Sequence, residues 1–121
     1  MATVTAKITL TSADLTSDNM SAEVTNSLTC TEGGLTRKNI TVTGSGTAVT
    51  IAVAADYAVG SYVFVKNCDT TATDYLLIRS SSADHIQLAG GEFAWFPWVT
   101  DADLQVYAST TGTILEYGIF S

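Results

Sequence analysis

Gly90-Gly91-Glu92-Phe93-Ala94-Trp95-Phe96-Pro97-Trp98 holds both tryptophans, the only proline and two of the four phenylalanines of the 121-residue chain. The residues before it, Asp84-His85-Ile86-Gln87-Leu88-Ala89, alternate polar and apolar. Two alternating runs around Gly-Gly predict a β-hairpin with a two-residue turn, because glycine accepts the positive φ such turns need. That register sets Leu88 opposite Phe93 and Ile86 opposite Trp95, all four on one core-facing side. Each aromatic buried there would remove ~150–250 Å² from water, worth at most roughly 4–6 kcal/mol. Pro97 cannot donate to a ladder and ends the strand. Phe96 lies on the opposite face and Trp98 beyond the stop. Core, subunit interface and ligand platform are all open to that pair.

Outward from this stretch the same pattern recurs. Val4, Ala6, Ile8 and Leu10 alternate with Thr3, Thr5, Lys7 and Thr9. Met20, Ala22, Val24 and Leu28 are in phase over 20–30. Thr11 to Asn19 reads as a loop, with one helical turn at Ser12-Ala13-Asp14-Leu15. Two strands are expected at 35–43 and 47–54, around Gly44-Ser45-Gly46. Tyr62-Val63-Phe64-Val65 and Tyr75-Leu76-Leu77-Ile78 are apolar on both faces and predict central, doubly covered strands. A last hairpin is expected from 104–109 and 113–120 across Thr110-Thr111-Gly112. About ten short strands, Gly-rich turns and no helix indicate one all-β domain: a two-sheet β-sandwich, jelly-roll first and immunoglobulin-like second. Residues 1–34, poorer in large apolar side chains, form an N-terminal arm or an added sheet edge.

Twelve acids against five bases give a net charge of −7, with no basic patch for nucleic acid. Only 14% of residues are charged, against about 25% in a typical soluble domain, while Ser and Thr make up 31 of 121. Such a surface packs against neighbours at low desolvation cost, which favours an assembly subunit. No apolar run approaches the ~18 residues of a membrane helix, and the start lacks a secretory pattern. Cys30 and Cys68 match no zinc or redox spacing and are expected as reduced thiols of a protein made in a cytoplasm.

Candidate chemistry is sparse. His85 is the lone histidine, and Asp84 beside it on a strand points to the opposite face, so it cannot orient the imidazole. Asp101 and Asp103 could enter a calcium loop, but no further acids complete one. Glu92 and Glu116 have no partner for acid–base work, and the glycines fit turns and no phosphate-binding fingerprint. The expectation is a non-enzyme with no catalytic residue, no cofactor and no metal.

Four stretches taken together, Leu10–Asp18, Ala55–Asn67, Gly90–Trp98 and Leu115–Phe120, resemble small virion structural proteins of aquatic tailed phages. The resemblance spans most of the chain in motif order and implies a β-sandwich subunit present in many copies. Within that class it implies a capsid decoration, or cement, protein: a homotrimer on the outer capsid surface, with the major capsid protein and copies of itself as partners, made in the host cytoplasm. No capsid-binding arm motif is recognisable, so a tail or fibre component that binds host carbohydrate through Phe96 and Trp98 is the alternative. Ala2–Leu10 carries only Lys7, and Met20–Cys30 only Glu23, with no proline to blunt an edge. The interface candidates are therefore Val4, Ala6 and Ile8, with Phe96 and Trp98 elsewhere on the protomer.

Overall fold

The computed structural model describes residues 1–14 and 20–121. The expected helical turn at Ser12–Leu15 lies partly outside these residues, as does much of the expected loop that follows. The described chain divides into two compact units, Met1–Thr31 and Glu32–Ser121.

The first unit is a ribbon of two antiparallel strands, β1 (Ala2–Ser12) and β2 (Met20–Cys30), paired from Ala2↔Cys30 to Ser12↔Met20. The second is all-β apart from two short 3-10 turns. Its strands are β3 (Thr36–Ile40), β4 (Val49–Ala52), β5 (Tyr62–Asn67), β6 (Leu76–Ser80), β7 (Ala83–Leu88), β8 (Phe93–Pro97), β9 (Leu104–Ala108) and β10 (Thr113–Phe120). They form two four-stranded antiparallel sheets, ordered β3-β10-β5-β8 and β4-β9-β6-β7.

The pairing is nested. β6 pairs with β7, β5 with β8, β4 with β9 and β3 with β10. The chain thus runs as one long hairpin whose tip is the β6–β7 turn, wrapped so that successive pairs alternate between sheets. The pairs β10·β5 and β9·β6 close each sheet. Eight strands in two sheets are consistent with the expected jelly roll, and differ from the seven or nine strands of an immunoglobulin sandwich.

Alternation along the strands fills the space between the sheets. Ile40, Val63, Val65, Leu115 and Ile119 from one sheet meet Ile51, Leu76, Ile78, Leu88 and Val106 from the other. Phe64 and Trp95 were expected in this core. They lie instead on the outer face of their sheet and are half-buried, because they alternate with the inward Val63, Val65, Ala94 and Phe96. There the Trp95 ring stacks on Tyr62 at 5.3 Å and touches Phe120 at 5.7 Å. β5 is therefore central, between β10 and β8, with Tyr62, Phe64 and Lys66 half-buried on its outer side.

The expected hairpin over 84–98 does not form. β7 pairs with β6 and β8 with β5, so Leu88 faces Leu76, Ile86 faces Ile78, Phe93 faces Lys66 and Trp95 faces Phe64. Phe93 is 56% exposed. The Gly-Gly step carries the chain from one sheet to the other. Gly91 has φ +85°, and a Cβ on Gly90 would collide with the Thr71 carbonyl. Both glycines are needed, for a crossover and not for a two-residue turn.

Asn67, fully buried, holds that crossover. Its Nδ2 donates to the Asp74 and Leu88 carbonyls at 2.9 and 3.0 Å, and its Oδ1 accepts from the Asp69 N–H at 3.0 Å. Its backbone exchanges bonds with Glu92 and Gly91. The last expected hairpin fails likewise: β9 and β10 belong to different sheets, and Gly112, at φ +98°, makes the passage.

The tip turn is Ser81-Ser82, both at positive φ (49° and 65°), the conformation of a type I′ hairpin turn. Serine pays a steric cost there. The buried Arg79 offsets it by donating to the Ser82 carbonyl at 2.5 Å and to Ser45 at 2.6 Å, with Asp84 at 3.4 Å as counter-ion.

Candidate functional site

Directly paired residues of an antiparallel ribbon point to the same side. One side of the β1–β2 ribbon therefore carries Ala2, Val4, Ala6, Ile8 and Leu10 opposite Cys30, Leu28, Asn26, Val24 and Ala22, with Met20 opposite Ser12. The other side carries Thr3, Thr5, Lys7, Thr9 and Thr11 opposite Thr29, Ser27, Thr25, Glu23 and Ser21. On the polar side Lys7 Nζ lies 3.1 Å from Glu23 across a diagonal, a pair too exposed to contribute more than about 1 kcal/mol.

The apolar side is uncovered over much of its length. Ile8 is 38% exposed, Leu10 57% and Val24 65%; Met20 is exposed too. Each strand has one neighbour only, so each keeps one open edge. A two-stranded ribbon is marginal in water by itself, and stability comes when a third strand or a packing surface covers its apolar face. The face contains Val4, Ala6 and Ile8, three of the sequence's interface candidates. Leu10, Met20 and Val24 extend it; the alternation that announces them was visible, but the pairing that joins both strands into one surface was not.

Phe96 and Trp98 go elsewhere. Phe96 is half-buried against the sandwich core, and Trp98, 6% exposed, belongs to that core with its ring 5.7 Å from Tyr57. Neither is an exposed stacking platform, because the residue register turns both inward between the sheets. They line, from within, a cleft of about 330 Å³ between the edge strands β7 and β8, together with Ile78, Ile86 and Leu104. Ser80, His85, Val99 and Asp101 also line it. The neighbouring concavity, about 500 Å³, is lined by Ile86, Leu88, Phe93 and Ala94. Trp98 Nε1 is buried without a hydrogen-bond partner.

The acids and the histidine mostly have structural partners. His85 Nε2 lies 3.0 Å from Ser80 Oγ, while Asp84 points away to the Tyr107 hydroxyl at 3.0 Å. Asp103 accepts from the Ala54 N–H at 2.8 Å and latches a loop. Glu92 accepts from the Ala89 N–H at 2.7 Å, and Glu116 pairs with Arg37 at 2.9 Å, which holds the guanidinium pKa above its ordinary value. Among the described residues no three His, Cys, Asp or Glu side chains converge on a metal-sized site, and no helix is long and apolar enough to cross a membrane. Cys30 is buried and Cys68 half-buried, both free thiols.

No family model matches the chain, and no curated protein matches it.

Proposed function

We propose that this chain is a non-enzymatic structural subunit of a phage virion, a capsid decoration protein that stabilises the head shell. Its partners in this reading are the major capsid protein and copies of itself, assembled as a homotrimer. The observation that carries the reading is the ribbon: eleven paired positions with one apolar face and two open edges, beside a sandwich that has its own buried core. Such an element costs conformational entropy to order and regains it only against a partner. The low charge and Thr-rich polar side suit a contact made at low desolvation cost. The two-sheet sandwich is consistent with a jelly roll, an architecture that recurs in viral shells, and supports the reading by analogy alone. The burial of Trp98, 6% exposed, and the half-burial of Phe96 favour this reading over carbohydrate stacking on that pair. The reading is tested by adding purified protein to particles that lack it. Saturable binding on the head, lost when the ribbon's apolar face is made polar, is expected; binding only at tails would overturn it.

A further inference from the structure

We propose that the cleft beside the start of β3 binds a guanidinium group, held by the Glu32 carboxylate and the side chains of Tyr57 and Tyr117. This site stands whether or not the chain belongs to a virion.

The cleft, about 330 Å³, lies wholly within the second unit, Glu32–Ser121. Its apolar lining is the nearly buried Ile51 and Ile119. Gly33, Gly34 and Gly118 add bare backbone. A Cβ on Gly118 would collide with the Gly34 carbonyl, while one on Gly34 would stand in open space. Glu32, Tyr57 and Tyr117 are the titratable residues of the lining. Among the described residues, the Glu32 carboxylate and both tyrosine hydroxyls have no hydrogen-bond or ion-pair partner. The sandwich acids Glu92, Asp103 and Glu116, by contrast, each hold a backbone N–H or an arginine. Convergent polar groups left free at a partly apolar cleft mark a ligand site.

The charge of the cleft selects the ligand. Among the described residues no lysine, arginine or histidine lines it, so an anion has no counter-charge there. Burial, then the nearby Tyr117, Asp56 and Glu32, holds the Tyr57 hydroxyl pKa above its ordinary value, as expected where the potential is negative. A metal ion would need several oxygen ligands, and among the described residues no three acidic, histidine or cysteine side chains converge. An organic cation fits. A guanidinium offers a planar fork of N–H donors to a carboxylate and to hydroxyls, and it stacks on aromatic rings. It is also less strongly hydrated than an ammonium, which suits a cleft with apolar walls.

N-acetylarginine amide, titrated into the full-length protein and followed by proton–nitrogen NMR, tests the site. Saturable shifts should centre on the Gly33, Gly34 and Gly118 amides. The neutral isostere N-acetylcitrulline amide should bind about tenfold more weakly, because it lacks the charge that strengthens the bonds to Glu32. Glu32→Gln should weaken arginine binding about tenfold, and Tyr117→Phe about fivefold. Both variants keep the fold: Glu32 is exposed and tied to Ser121 through its backbone, and phenylalanine retains the ring. An unchanged thermal midpoint checks this. Methylguanidinium separates two sources of the same group. Binding as tight as that of the amide supports the site for a free guanidino compound; weaker saturable binding supports it for an arginine side chain of a polypeptide. The proposal would be overturned by the absence of saturable shifts, by shifts centred away from the three glycines, by equal binding of the citrulline amide, or by undiminished affinity in both variants.

Discussion

Replacing Ile8, Leu10 and Val24 together by threonine should abolish assembly while leaving the isolated chain folded. Threonine is β-branched and adds no charge, so the ribbon retains its strand propensity. Full burial of such a side chain is worth about 1.5–3 kcal/mol, and the three are still 38%, 57% and 65% exposed. The area left to bury on assembly is thus worth about 1 kcal/mol for each, or roughly 3–4 kcal/mol in all. That corresponds to a loss of several hundredfold in affinity. Surface changes of this kind alter folding stability by only about 0.5 kcal/mol apiece. The assay is paired: chemical denaturation of the free chain, and titration of the variant onto particles that lack the protein. Wild-type affinity in the second would refute the role of the apolar face. A loss of stability as large as the loss of affinity would refute the claim that the face is left open for a partner.

Three further outcomes follow from the sandwich. Asn67→Leu keeps the side-chain volume but removes three hydrogen bonds, two of them to the Asp74 and Leu88 carbonyls; it should cost about 3–5 kcal/mol and lower Tm by roughly 10–20 °C. A calorimetric shift of only a degree or two would show that Asn67 does not hold the crossover. Gly118→Ala should cost about 1–3 kcal/mol by equilibrium unfolding, since its Cβ would meet the Gly34 carbonyl and backbone must move; an unchanged midpoint would contradict that packing. Burial, followed by the nearby Tyr117 and Asp56, pushes the Tyr57 hydroxyl pKa above the usual tyrosine value near 10. A raised folded pKa means stability intact below that ordinary value and lost as pH rises through the folded one. Tyr57→Phe should reduce this alkaline loss, with the remainder from Tyr107, whose pKa burial and the Asp84 carboxylate also raise. Identical alkaline unfolding curves for the two proteins would contradict it.

The strands were legible because alternation is local. The two ribbon strands, the apolar run of β5, and the positive-φ glycine before β10 could all be read from a few neighbouring residues. Pairing is not local. Gly90-Gly91 reads as a hairpin turn unless it is known that Asn67, more than twenty residues earlier, binds the backbone there and draws β8 to β5. The true tip, Ser81-Ser82, lacks the Asn-Gly signature of such turns, and its strain is met by Arg79 through contacts no spacing reveals. Trp98 shows the same limit: Pro97 ends the strand beside it, yet register with β5 carries the next ring inward. At the candidate site the alternation of β1 and β2 was plain, and only the register showed that the two apolar stripes make one face.

The most direct test of the central claim is the number and position of copies of this polypeptide in purified virions, by quantitative mass spectrometry with labelling on the intact particle. A decoration protein should be present on the order of the number of shell subunits and spread over the head. A handful of copies confined to the tail, or none in the particle, would contradict the account.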